Sequence, residues 1–249
     1  SAFKGASNLQ LTATDAPDLS NVTTLKEIFR NCTIFNANIN HWDVSNVTDM
    51  GYMFYYAISF NQNLSSWDTS NVISISHLFY FASSFNQPLN NWDVSNVTDM
   101  SSAFRRSAFN QDLSSWNTSS VTGFFNTFRE SSYTGSGSSN WDVSNVTAVE
   151  KMFYQSAFDK NISSWDITGI TSFIDFLKIS SALSTANYDA ILIGWEATLQ
   201  ATYPSGSGYT PIISIDFGGA EYTGGGAAAT ARASLISNFS WSITDGGIA

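Results

Sequence analysis

The nine residues WDVSNVTDM occupy positions 42–50 and recur unchanged at 92–100. Variants of the same string stand at 67–75 (WDTSNVISI), 116–124 (WNTSSVTGF), 141–149 (WDVSNVTAV) and 165–173 (WDITGITSF). Their tryptophans, at 42, 67, 92, 116, 141 and 165, follow one another in steps of 25, 25, 24, 25 and 24 residues. PDLSNVTTL (17–25) lies 25 residues before the first, with Pro17 in the Trp place. Seven units thus cover roughly residues 10–180, and a fixed period of this length is the signature of a repeat architecture.

Numbering each unit from its Trp gives every column a physical meaning. Trp alternates with a residue at +2 that is mostly β-branched (Val44, Thr69, Val94, Thr118, Val143, Ile167), which predicts a short half-buried strand. Apolar residues at +8, +11 and +12, such as Met50, Met53 and Phe54 or Val149, Met152 and Phe153, stand at helical spacing. The Thr or Ser at +6 in most units is placed to cap that helix. A later Phe (Phe35, Phe60, Phe85, Phe109, Phe158) opens the return to the next Trp.

A coil of this kind cannot bury its own apolar side, but a stack of coils can. The expected fold is therefore α/β: a right-handed solenoid of leucine-rich-repeat type, with short parallel strands, short helices and a C-terminal cap. The solenoid takes residues 1–180 and the cap, part of the same domain, residues 181–249. Within the cap, 187–199 and 226–239 read as helices, and 210–217 and 240–244 as strands. Phe3 falls near the +12 column, so the chain is expected to open in mid-repeat, as a monomeric fragment of a larger protein.

Composition narrows the function classes. Only 12% of residues are charged, against ~25% in an ordinary domain, while 43% are hydrophobic. That excludes a disordered acidic tail, because there is ample apolar surface to bury. A net charge of −10 argues against nucleic acid or an anionic membrane as partner. No run approaches the ~18 apolar residues of a membrane helix, so no membrane insertion is expected of this segment. The one cysteine, Cys32, excludes an internal disulfide and a cysteine zinc site. Cys32 stands at +15, where the other units carry Ala57, Ala82, Ser107, Ser131, Ser156 and Ser180, so a small buried residue is expected there.

Sequence signatures of catalysis are absent: there is no nucleophile elbow, dinucleotide fingerprint, P-loop or zincin helix. His41 and His77 occupy different columns and are not expected to share a metal. No enzyme activity, cofactor or metal is therefore expected. Two columns are candidate ligand-binding rows. The first follows each Trp: Asp43, Asp68, Asp93, Asn117, Asp142 and Asp166 point away from the core, about 4.8 Å apart on stacked strands. Like charges so close need compensation, either from local backbone N–H and Ser hydroxyl groups or from a partner. The second, at +13, reads Arg30, Tyr55, Tyr80, Arg105, Arg129, Tyr154 and Lys178, with Tyr56, Phe81 and Arg106 beside it at +14. Tyr and Arg are enriched in interface hot spots, yet the same residues could stack on one another between coils.

The repeats W-D-V-S-N-V-T-D-M, with F-N-Q-P-L-N-N-W at 85–92, resemble the BspA-like leucine-rich repeats of bacterial surface proteins. The ending, from DAILIGW (189–195) through ARASLIS (231–237) to WSITDGG (241–247), resembles the cap that closes such arrays. The resemblance implies an extracellular or cell-surface location and a non-enzymatic adhesion or ligand-binding module, with no catalytic residues. A protein or peptide ligand is the first expectation and a cell-surface polysaccharide the second; a structural spacer within a large adhesin is the rival.

Overall fold

In the computed structural model, residues 2–12, 15–211 and 213–249 are described; Ala13 and Thr14 of the first unit, and Ile212 of the strand expected at 210–217, lie outside them. Six parallel bridges join the repeats in order: Thr24 to Asp49, Asp49 to Ser74, Ser74 to Asp99, Asp99 to Gly123, Gly123 to Ala148 and Ala148 to Ser172. The paired residue is always at +7, so the extended point of each unit lies five residues beyond the strand expected at Trp and +2.

No helix forms at +8 to +12. Among the described residues, the only helical turn between 15 and 180 is a 3-10 turn at Ser138–Asn140. The segment is a run of overlapping β-turns instead. In the second unit, Met53 N–H donates to Met50, Tyr55 to Tyr52 and Ala57 to Phe54, each closing a four-residue turn. The N–H groups between them reach outward to the next unit: Met50 to Ser74, Tyr52 to Ser76, Phe54 to Leu78 and Tyr56 to Tyr80. Helix and turn run both place +8, +11, +12 and +15 on one side, which is why the spacing reads as helical. They differ in where alternate backbone donors go, and here the neighbouring repeat takes them.

The turn run requires left-handed backbone at +10 and +14 of every unit. Examples are Tyr52 and Tyr56 (φ 58 and 56°), His77 and Phe81 (both 57°), and Lys151 and Gln155 (53 and 51°). An L-residue in this conformation costs roughly 1–2 kcal/mol relative to glycine, which carries no Cβ. Gln155→Gly is therefore expected to leave stability unchanged or raise it by up to about 1 kcal/mol, whereas a helix would lose about that much. Urea unfolding of this exposed-site variant decides the matter, and a clear loss would contradict the turn geometry.

The core is three aromatic columns. Phe29, Phe54, Phe79, Phe104, Phe128 and Phe153, at +12, follow one another at centroid spacings of 5.3–5.9 Å, all near-parallel. Phe3 lies 5.8 Å from Phe29, in the place its spacing suggested. A second column runs through Phe35, Phe60, Phe85, Phe109 and Tyr133. The tryptophans form the third, and from Trp67 onward the indole N–H reaches back along the array: Trp67 donates to Ile39, Trp92 to Leu64, Trp116 to Leu89, Trp141 to Leu113 and Trp165 to Ser138, at 2.9–3.3 Å. The +15 column is buried throughout, Cys32 included.

The Thr at +6 does not cap a helix. Thr48, Thr147 and Thr171 donate their hydroxyls to the carbonyl oxygens of Thr23, Thr122 and Thr147, one unit back. At +2, the buried hydroxyls of Thr69 and Thr118 donate forward, to the carbonyls of Asp93 and Asp142. Thr therefore replaces Val in that column without leaving a polar atom unsatisfied.

Beyond the last unit come α1 (Thr185–Thr202), β1 (Ser214–Asp216), β2 (Glu221–Tyr222), α2 (Ala227–Ser237), β3 (Ser242–Thr244) and β4 (Gly247–Ile248). The two helices and the strands β1 and β3 lie where the sequence placed them, with shifted ends; β2 and β4 are further strands. β1 pairs with β3 and β2 with β4, both parallel. This region continues the ladder of the repeats. Leu177 N–H donates to Asp216 of β1, as Phe153 N–H does to Phe176 of the next unit. Trp195, on α1, donates to the Ile162 carbonyl at 3.0 Å and so fills the Trp place of a further unit. Gly194 permits that approach, since a Cβ there would stand 2.5 Å from Ser163 Cβ and 2.8 Å from its carbonyl oxygen.

Candidate functional site

In-register pairing sets like columns side by side. In the second and third units the side chains at +10, +13 and +14 emerge half-exposed between the buried columns, and all six are aromatic. Tyr52 lies on His77 at 4.3 Å, Tyr55 on Tyr80 at 4.7 Å and Tyr56 on Phe81 at 4.5 Å, with interplanar angles of 5, 11 and 1°. The offsets match the spacing of neighbouring strands, so the ring faces look along the array.

Guanidinium groups cover four of the six outer ring faces of these three pairs. Arg30 sits over Tyr55 at 4.7 Å and over Tyr52 at 5.3 Å. Arg105 sits over Tyr80 at 5.2 Å, and Arg106 over Phe81 at 5.7 Å. Arg129 over Tyr154, at 4.7 Å, repeats the pairing further along. Of the seven residues in the +13 row, Arg30, Tyr55, Tyr80 and Arg105 are thus in one stack, and Arg129 and Tyr154 form the next. What faces solvent is the ring edges, which carry the positive side of the quadrupole, together with hydroxyl and guanidinium donors. The hydroxyls of Tyr133, Tyr188 and Tyr209 have protein partners; those of Tyr52, Tyr55, Tyr56 and Tyr80 have none among the described residues.

Glu130 joins Arg105, Arg106 and Arg129 into one cluster. Its carboxylate accepts from Arg129 Nε at 2.9 Å and from Arg106 Nε, and lies 3.7 Å from Arg105 Nη2. Burial pushes Glu130 up, but the hydrogen bond and charge of Arg106, followed by those of Arg129, outweigh it and hold the carboxyl below its ordinary value. Arg105 Nε is buried and has no hydrogen-bond partner among the described residues. Burial lowers the pKa of His77, opposed by Asp99 and reinforced by Arg105 and Arg30, so the ring within the stack is neutral near pH 7.

The other candidate column is satisfied locally. Asp43 Oδ1 accepts the backbone N–H of Ser45 at 3.0 Å, and Asp68, Asp93, Asn117, Asp142 and Asp166 accept from the residue two further on at 2.9–3.1 Å. These are Asx-turns, and they turn the chain out of the Trp column. The hydroxyl and then the backbone N–H of Ser45, Ser70 and Ser144 hold Asp43, Asp68 and Asp142 below the ordinary carboxyl value. At Asp68 the opposing charge of Asp43 is the smallest contribution, so local hydrogen bonding decides the compensation. Asp43 and Asp68 also line a solvent-facing concavity of about 420 Å³ with Asn38, Asn40, His41 and Ser66. None of the hydrogen bonds or ion pairs among the described residues joins this column to the aromatic row.

The +13 row was visible from the repeat. Tyr52 and His77 were not singled out for this row, although +10 shares a face with +13 and +14 in a helix as much as in the turn run. Glu130 was also missed, although it falls in the +14 column directly after Arg106. Cys32 is buried and free, its Sγ 3.0 Å from the Phe3 carbonyl, and burial raises its pKa. Among the described residues there is no cluster of three or more His, Cys, Asp or Glu placed to hold a metal, and no helix is long and apolar enough to cross a membrane.

No curated protein and no solved structure matches the chain. A family of repeat proteins does, described as "Mycoplasma protein of unknown function, DUF285", over residues 1–108 and again over residues 90–189. The two matched stretches take in all seven repeats and the start of α1, and the chain belongs to this repeat family.

Proposed function

We propose that the chain is a non-enzymatic binding module in which the repeats form a right-handed solenoid of leucine-rich-repeat type, akin to BspA-like proteins, displayed outside a bacterial cell. Residues 1–180 serve as the scaffold and 181–249 as its cap. The ligand is a protein or peptide, and it is bound on the +10, +13 and +14 face. The observation that carries this reading is the ordered aromatic and guanidinium surface whose hydroxyl donors have no partner among the described residues. Tyr and Arg held rigid lose little side-chain entropy when a ligand arrives, which favours binding. The Asp column supports the same reading less well, since each Oδ1 is committed to a turn.

Peptide and glycan arrays probed with the fragment test the proposal. Two variant sets separate the faces: Tyr55→Phe with Tyr80→Phe and Arg105→Gln, and Asp68→Asn with Asp93→Asn and Asp142→Asn. Tyr→Phe keeps the stack and removes the hydroxyl donor, and Asn can still accept in the Asx-turn. The first set is expected to weaken binding about tenfold or more, in line with the loss of hot-spot donors, and the second to leave it unchanged. Loss with the second set alone moves the ligand to the Asp43–Asp68 concavity. No ligand on any array supports the spacer reading instead.

A further inference from the structure

We infer that the Arg105, Arg106 and Arg129 cluster is a carboxylate-recognition site and that the partner it takes is an acidic polypeptide segment; this rests on the binding-module reading above. The first support is charge. Three guanidinium groups surround one carboxylate, leaving a local surplus of two positive charges in a chain whose net charge is −10. An isolated surface pair is nearly neutral in its effect, but an unbalanced, half-buried cluster attracts an anion over several ångströms. The side chains of Arg105, Arg106 and Arg129 are 21, 40 and 23% exposed, so a ligand can reach each of them.

The second support is that the chain supplies its own example of the ligand. Glu130 is 15% exposed and is already held by the same guanidinium groups, which shows the cluster shaped around a carboxylate. Arg105 contributes least to it, at 3.7 Å, and its buried Nε has no hydrogen-bond partner among the described residues. A second carboxylate arriving beside Glu130 would find Arg105 and Arg106 with donors to spare.

The choice of polypeptide over polysaccharide follows from the rings. Sugars bind aromatic side chains through the ring face, and here both faces of Tyr52, Tyr55, Tyr80 and Phe81 are covered by neighbouring rings and by Arg30, Arg105 and Arg106. The exposed edges and the Tyr80 hydroxyl offer donors instead, suited to the carbonyl oxygens of an extended peptide that carries the carboxylates. The net negative charge of the chain repels such a segment from other faces, which adds specificity.

The test uses the whole chain and a fluorescently labelled oligoglutamate, followed by anisotropy at several salt concentrations. Polygalacturonate, as an acidic polysaccharide, and a neutral Gly-Ser peptide serve as competitors. Oligoglutamate is expected to bind, more weakly as salt rises, and to be displaced by neither competitor at matched concentration. Arg105→Gln with Arg106→Gln should weaken it about tenfold or more, the scale of losing charge-assisted bonds. Glu130→Gln removes the internal competitor without shortening any side chain and should tighten binding several-fold. No salt-dependent binding, indifference to both variants in chains that melt as wild type does, or displacement by polygalacturonate would each overturn the inference. If oligoglutamate fails while an array ligand is still lost on substituting Tyr55 and Tyr80, the partner assignment falls and the binding face stands.

Discussion

Replacing Phe79 by Ala is expected to lower stability by about 3–5 kcal/mol, the range for removing a fully buried phenylalanine. Phe79 is wholly inaccessible at the middle of the +12 column. Its ring lies 3.8 Å from Phe85, 5.4 Å from Phe54, 5.7 Å from Phe104 and 6.4 Å from Trp92. Each of these is in its own repeat or an adjacent one, and the backbone donors of the segment are shared with the same neighbours. The flanking units are tied to their own neighbours and have little freedom to close the void. A repeat array also depends on each interface between units, so a cavity at the centre weakens coupling between the two halves. Urea unfolding should show a lower midpoint and a broader transition. Tyr80→Ala, one residue along and half-exposed, should cost markedly less. Equal effects at the two sites would refute the assignment of core and surface columns.

Asp245→Ala is expected to cost about 3 kcal/mol, the low end of the range for removing one partner of a buried ion pair. The Asp245 side chain is 3% exposed. It accepts from Arg232 Nε at 2.7 Å and Nη2 at 3.2 Å, from the Tyr188 hydroxyl at 2.6 Å and from Gly247 N–H at 3.2 Å. One carboxylate therefore ties α1, α2 and the turn between β3 and β4 together. Burial, followed by the hydrogen bond and charge of Asp245, raises the Tyr188 phenol far above its ordinary value, so the hydroxyl remains a donor. Without Asp245 the Arg232 guanidinium and the Tyr188 hydroxyl are left without their acceptor. The low end applies because Arg232 is 21% exposed and can turn partly to water. Asp245→Asn, which retains acceptor oxygen but no charge, should fall between the two. Thermal unfolding followed by tryptophan fluorescence reads the effect at Trp195 and Trp241, which lie buried in the same region. An unchanged melting temperature would show that the network is not what secures the cap.

The buried columns were legible because burial repeats with the sequence period. Trp, +2, +5, +8, +12 and the small +15 residue are inside in unit after unit, and Cys32 needed only its column to be placed. The cap helices were legible from their own composition and spacing, with α1 at Thr185–Thr202 and α2 at Ala227–Ser237 over the expected helical stretches. The conformation between +8 and +14 was not legible. Spacings of three and four residues describe an α-helix and a chain of β-turns equally well, and nothing within one unit tells them apart. A lone seven-residue helix is also marginal, since its nucleation cost is spread over few hydrogen bonds. The turn run satisfies its donors on the adjacent unit, a partner 24 residues away in sequence.

By itself, the sequence determined the period, the identity of the core columns and the presence of an aromatic and basic row at +13, because each depends only on residue type and spacing. Tertiary structure alone decided that +8 to +14 is a run of turns, that each ring stacks on its counterpart in the next unit, and that Glu130 sits among three arginines. The reason is physical. Hydrophobic burial follows local pattern, whereas the direction of a half-exposed side chain follows backbone torsion, and at +10 and +14 that torsion is left-handed only because the next repeat accepts the N–H.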